Sequence, residues 1–204
     1  MRPAPPDHLG DPVHHVSVLN IANLLTVLRL ALVPVFAAAL FRHGGHDTPW
    51  RWAAWAVFAV ASATDLVDGE LARRRGLVTS FGKIADPIAD KALMGTALVG
   101  LSALAVLPWW VTGVVLVREV GVTGLRFWVI RHGIIPASRG GKLKTLLQGV
   151  GIGLYVLPLG GWLRDLSAVV LAAAVVATVL TGVDYVSRAI TLRRTGRLAQ
   201  QAGG

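Results

Sequence analysis

The sequence predicts an all-α integral membrane fold with six transmembrane helices, and three observations carry that reading. Apolar residues make up 54% of the 204-residue chain and charged residues only 15%, fewer charges than a soluble domain of this length needs. The apolar residues fall in long runs rather than on single faces, which marks spans rather than half-buried core helices. Basic residues then gather at one set of run ends, which gives the spans an orientation.

Residues 1–19 form the first segment. Its opening, "MRPAPPDHLGDPVHH", is proline-rich and polar and is expected to be disordered. It lacks an early basic region leading directly into an apolar core, so it does not read as a signal peptide. The lead-in "HHVSVLNIANLL" mixes polar and apolar residues. It could lie as an N-terminal helix in the membrane interface or be an unstructured approach to the first span.

The six-helix membrane domain is expected over 20–190. Its runs fall at about 24–41, 50–72, 86–106, 109–130, 143–160 and 166–187, near the ~20 residues that a bilayer requires. The first carries Pro34, a candidate kink. The polar turn "RHGGHDTPWR" separates it from the second. "LPWW" joins the third and fourth, and its tryptophans suit a membrane interface. Residues 191–204 form a basic tail, which can anchor to anionic lipid. No internal repeat is visible.

Twelve basic residues (Arg73, Arg74, Arg75, Lys83, Arg131, Arg139, Lys142, Lys144, Arg188, Arg193, Arg194 and Arg197) lie at one set of ends, against Arg42, Arg51 and Arg164 at the other. Positive-inside logic puts the first set, and with six spans both termini, in the cytoplasm. The net charge of +9 suits membrane lipids with anionic headgroups or phosphorylated substrates. Nucleic acid is not expected as a partner, because the basic residues sit between apolar runs and form no soluble module. The chain has no cysteine, which excludes disulfides and thiol chemistry.

Four aspartates stand out in "DLVDGELARRRGLVTSFGKIADPIAD", residues 65–90. Asp65 and Asp68 are spaced i, i+3, and Asp86 and Asp90 i, i+4, so each pair shares a helix face. A hairpin of the second and third spans brings the faces together, at the cytoplasmic side. Grouped carboxylates repel one another unless something positive sits among them. Hard divalent cations such as Mg²⁺ or Mn²⁺ take such oxygen ligands, so one or two ions are expected. The alternative is pairing with Arg73, Arg74, Arg75, Lys83 and Lys91 at a wet helix end. Gly69 and Ala72 are small and lie on the Asp65 side, which leaves room for a flat group or for helix packing. Arg73 suits a phosphate or diphosphate. Gly82 allows a turn before the third span, and Pro87 is read in that span's first turn.

Asp65, Asp68, Gly69, Ala72, Arg73, Gly82, Asp86 and Asp90 are eight residues at fixed spacing within 26 positions. They resemble, at every position, the signature of the CDP-alcohol phosphotransferase family. The resemblance implies a six-helix membrane enzyme, usually a homodimer, with an active-site cavity open to the cytoplasm. It implies transfer of a phosphatidyl group from a CDP-linked lipid to an alcohol, with release of CMP. By the same resemblance Asp65, Asp68 and Asp86 bind two divalent ions. Asp90 contributes to the metal site and acts as catalytic base. Gly69 and Ala72 lie against the cytidine with Asp68 beside them, and Arg73 holds the diphosphate.

"NIANLLTVLRLALVPVF" (20–36) further resembles the start of bacterial family members whose acceptor is glycerol 3-phosphate. Asn20, Asn23, Thr26 and Arg29 match their pattern, and Ala22 stands where proline is usual. This implies nucleotide binding by Asn23 and Thr26; a helix cap and a packing residue are the alternatives. "VREVGVTGLRFWVIRHG", "GGKLKTLLQ" and "GVDYVSRA" resemble the same subfamily, so the resemblance covers about 20–190. It implies CDP-diacylglycerol and glycerol 3-phosphate as substrates, in the plasma membrane of a bacterial cell.

The acceptor's phosphate needs cationic donors. Arg118, Arg126, Arg139, Lys142 and Lys144 are the candidates. Arginines within a span are costly and should face a cavity or a partner. Glu119 is adjacent to Arg118, and neighbours on a helix do not face each other, so Glu119 is expected to pair elsewhere. For Lys142 and Lys144 a solvated loop or headgroup contact is the alternative. Inositol phosphate and phosphatidylglycerol also carry phosphate, so charge alone does not separate these acceptors. A transporter with a carboxylate ion site is the reading from another class. Against it, the acids cluster at one face and line no route across.

Overall fold

In the computed structural model, the described backbone covers residues 21–75, 80–129 and 139–202, and the described side chains cover 21, 23–65, 85–125, 141 and 143–192. It is helix joined by short turns and irregular links, with no strand among the described residues. The helices are α1 (Ile21–Phe41), α2 (Thr48–Arg75), α3 (Ser80–Ala103), α4 (Trp109–Val129), α5 (Arg139–Val156) and α6 (Trp162–Ala202), with a single 3₁₀ turn at Arg42–Gly45. Each expected apolar run thus contains a helix, although the third and fifth end short of expectation, at Ala103 and Val156. Two stretches, Asn23–Gly45 and Trp162–Leu192, are long and apolar enough to cross a membrane, and Leu143–Val156 is a shorter apolar helix.

The boundaries differ from expectation where polar residues extend a helix beyond its apolar part. α3 begins at Ser80, so Gly82 and Pro87 both lie inside it. Gly82 makes no turn there, and Pro87 falls past the first turn, where its missing N–H removes one helical bond. Asn23 lies within α1 and does not cap it. α6 continues through most of the expected tail, to Ala202, because "RRTGRLAQQA" is rich in helix-forming residues. Of the lead-in, residues 21–25 open α1, and 14–20 lie outside the described residues, as does the rest of the N-terminal segment.

α1 packs against both α2 and α3, α5 against α6, and α4 against α6. The core is apolar, built on Phe36, Leu40, Phe58, Leu93, Leu98, Leu101, Val115, Ile152 and Val156. Close approach of α5 to α6 depends on Gly151, where a Cβ would stand 3.2 Å from the Leu171 Cα. At the end of the bundle remote from the aspartates, buried Arg51 bridges helices. Its Nε donates to the Val156 carbonyl (2.7 Å), one amino group to the Tyr155 carbonyl (2.7 Å), and the other to the Gly45 carbonyl (3.4 Å). The Val156 and Tyr155 carbonyls are terminal ones of α5, which have no partner within their own helix.

Candidate active site

Three polar residues punctuate one face of α1. Asn23, Thr26 and Arg29 follow i, i+3, i+6 and are all buried, Arg29 completely. A buried guanidinium in so apolar a helix requires an anion. Arg29 finds it across the bundle, pairing with the Asp65 carboxylate of α2 at 2.6 Å. One turn earlier, the Thr26 hydroxyl donates to the carboxylate of Asp86 on α3. One face of α1 therefore grips a carboxylate from each of the two helices it packs against.

The aspartates were open to pairing with basic residues of their own hairpin. Asp65 and Asp86 take partners from α1, and Lys91 donates to Thr123 of α4; the side chains of Arg73, Arg74, Arg75 and Lys83 lie outside the described residues. Thr26, expected at the nucleotide, faces Asp86. Asp90, on the α3 face that also carries Asp86, lies within electrostatic reach of Asp65, Glu119, Arg29 and Lys144.

Asp65 and Asp90 open onto a cavity of about 920 Å³ walled by all six helices. Its polar end holds Arg29, Asp65, Asp90 and Arg118, with Thr181, Asp184 and Arg188 of α6. Asp184 and Arg188 pair with each other at 3.0 Å. The cavity continues past Met94, Leu93 and Phe58 to Trp55 and Leu157. From Asp65 to Trp55 is ten residues of α2, or about 15 Å of helix. A charged chamber thus opens into an apolar one. Two wall residues, Ser62 and Arg118, each present a buried polar atom, Oγ and Nε, without a hydrogen-bond partner among the described residues.

Arg118 does reach its neighbour. Its guanidinium donates to Glu119 at 3.1 Å and to the Thr181 hydroxyl at 3.2 Å. Two long side chains can bend together even from adjacent positions, so Glu119 takes Arg118 in addition to the partner elsewhere that was expected for it. Glu119 also takes the ammonium of Lys144. Lys144 is buried, while Arg118 lies in the cavity lining.

Asp68, Gly69, Ala72 and Arg73 lie on α2, Arg126 on α4, and Arg139 and Lys142 on α5; their side chains fall outside the described residues. Among the described residues no group of three or more acidic, His or Cys side chains could hold a metal. The donor chemistry nevertheless fits a hard cation. Asp65, Asp86 and Asp90 are oxygen donors on facing helices, and Asp65 is electrostatically coupled to Asp86. Thr26 and Arg29 of α1 each hold one of them, Asp86 and Asp65 respectively.

Sequence reasoning assigned no role to Arg29 or to the α6 residues Thr181, Asp184 and Arg188. The signal for Arg29 was present as a lone charge inside an apolar run. For α6 it was the i, i+3 and i, i+4 recurrence of polar residues late in an apolar helix.

The CDP-alcohol phosphatidyltransferase family model matches residues 19–180. The chain belongs to the CDP-alcohol phosphatidyltransferase family. It is 59% identical over 193 residues to a probable phosphatidylglycerophosphate synthase of Mycobacterium tuberculosis, covering 95% of this chain and 91% of the relative. It is 35% identical over 184 residues to the CDP-diacylglycerol--glycerol-3-phosphate 3-phosphatidyltransferase of Bacillus subtilis, covering 84% and 95%. A Rickettsia felis protein of that same name is 34% identical over 171 residues, covering 81% and 93%. For this CDP-alcohol phosphatidyltransferase family member, the apolar helices fit a membrane-associated protein, and the cavity fits a ligand with a charged and an apolar part.

Proposed function

We propose that this protein transfers the phosphatidyl group of CDP-diacylglycerol to sn-glycerol 3-phosphate, giving phosphatidylglycerophosphate and CMP in phospholipid biosynthesis. The observation that carries the reading is the single cavity joining Asp65, Asp90 and Arg118 to an apolar chamber. A lipid diphosphate and a phosphorylated alcohol need that combination. The names of the relatives in Mycobacterium tuberculosis and Bacillus subtilis support the same acceptor.

In this reading the acyl chains lie in the apolar chamber and the diphosphate lies by the aspartates. Gly69 and Ala72 leave room for the cytidine, Asn23, Thr26 and Asp68 contribute to that side, and Arg73 binds the diphosphate. Asp65, Asp68, Asp86 and Asp90 would hold divalent cations, Mg²⁺ or Mn²⁺ and two in number, which supply charge neutralisation on the phosphate oxygens. Arg118 takes the phosphate of glycerol 3-phosphate, with Arg126, Arg139 and Lys142 as further cationic donors. The primary hydroxyl of the acceptor attacks the phosphorus that bears the diacylglycerol. Asp90 accepts the hydroxyl proton. The bond from that phosphorus to the bridging oxygen breaks, and CMP leaves with the electron pair.

The distribution of basic residues supports six spans in the bacterial plasma membrane, with the site and both termini cytoplasmic. A homodimer is part of the proposal on the ground of family resemblance. Asp65→Asn tests the reading: the folded variant should release no CMP from CDP-diacylglycerol, and full activity would sink it.

A further inference from the structure

Arg118 is held from three helices. One amino group donates to Glu119 beside it on α4, and the other to Thr181 on α6. Its stem passes over Gly182, where a Cβ would stand 3.2 Å from the Arg118 Cγ. Glu119 is in turn tied to Lys144 of α5, whose side chain is only 4% exposed. Neither Glu119 nor Lys144 lines the cavity, whereas Arg118 and Thr181 do. The Nε of Arg118 is buried without a partner among the described residues.

We infer that Glu119 is a positioning residue for the acceptor site: anchored by Lys144, it holds the Arg118 guanidinium in the orientation that receives the acceptor's phosphate. The inference rests on the proposed placement of that phosphate at Arg118. A free arginine side chain loses up to about 2 kcal/mol of rotamer entropy when a ligand fixes it. Here that ordering is complete before the ligand arrives, which favours binding. A buried Nε–H without an acceptor carries a desolvation penalty, and a phosphate oxygen relieves it. The charges agree as well. Two cations flank one carboxylate, so the cluster keeps one net positive charge for the phosphate, while Glu119 lets Arg118 and Lys144 sit close together. Lys144 thereby acts through Glu119 rather than on the substrate.

The test is steady-state kinetics of the purified full chain in detergent micelles, with KM measured separately for glycerol 3-phosphate and CDP-diacylglycerol. Glu119→Gln should raise KM for glycerol 3-phosphate on the order of tenfold. It should leave kcat and KM for CDP-diacylglycerol within about twofold. Combined with Arg118→Ala, it should add nothing further, since it acts through that side chain. A double variant showing the full product of the two effects overturns the inference and leaves the acceptor placement standing. Equal increases in both KM values also overturn it, because a general structural defect would do the same. Arg118→Ala without a selective rise in KM for glycerol 3-phosphate overturns the placement itself, and the inference with it. Thr181→Val and Gly182→Ala disturb Arg118 without stripping Lys144 of its partner, so they serve if Glu119→Gln does not fold. Each should show the same selective rise, and the absence of any rise in both is a negative result for the inference.

Discussion

The Arg29 guanidinium of α1, completely buried, lies 2.6 Å from the Asp65 carboxylate of α2, the first aspartate of the motif. A buried charge in that position needs ionised partners, and Asp65 is one of them. The pair therefore ties the geometry of the site to the packing of α1.

Replacing Arg29 should damage both stability and activity. Arg29→Met leaves Asp65 without its partner and frees its carboxylate to move. Thermal unfolding in detergent should shift down, and CMP release should fall by on the order of 100-fold. Arg29→Lys keeps the charge but not the planar fork, so it should retain most of the stability and lose less activity. A wild-type rate in Arg29→Met would show that Asp65 needs no such support.

If the carboxylates hold a hard divalent cation, as proposed, activity depends on that ion. Chelation with EDTA should reduce CMP release to background, and Mg²⁺ or Mn²⁺ should restore it. Asp86→Asn should move the metal concentration required for half-maximal rate upward by about tenfold or more. A chelated enzyme that turns over at the full rate contradicts the metal reading.

The apolar chamber predicts a dependence on acyl length. Gly153 lies on its wall, and a Cβ there would approach Phe58 at 3.5 Å. Gly153→Leu should fill the space and reduce kcat/KM for long-chain CDP-diacylglycerol by about tenfold. A short-chain analogue should be affected much less. Equal losses for both lipids would place the acyl chains elsewhere.

Arg51 offers a contrasting case, remote from the aspartates. Arg51→Ala removes the donors to three carbonyls and should lower stability by about 3 kcal/mol. Activity per folded molecule should be nearly unchanged. A selective loss of turnover at full stability would mean that this end of the bundle communicates with the site.

The helices were legible in the sequence because long apolar runs admit little else in a bilayer, and the aspartate motif was legible because its spacing is rigid. Contacts between helices were less so. Thr26 shows no preference in sequence between a nucleotide and Asp86, since the choice depends on which way α1 faces. Lys144 looked in sequence like Lys142, a basic residue at a helix start, and nothing in that pattern signalled its burial or its bond to Glu119. Pro87 marked a helix beginning by its usual habit, yet α3 starts seven residues earlier, at Ser80, because "SFGKIAD" continues the helix in its N-terminal direction. Local pattern carries the elements; the side-chain partners depend on helix rotation, which no short window of sequence specifies.

The most direct test of the proposed function is an acceptor panel. Purified protein with CDP-diacylglycerol and Mg²⁺ or Mn²⁺ is offered glycerol 3-phosphate, inositol phosphate, inositol, serine and phosphatidylglycerol in parallel. CMP release and the lipid product are measured for each. Glycerol 3-phosphate alone should support rapid CMP release, with phosphatidylglycerophosphate as the product. Turnover with phosphatidylglycerol or inositol phosphate, and none with glycerol 3-phosphate, would contradict the assignment.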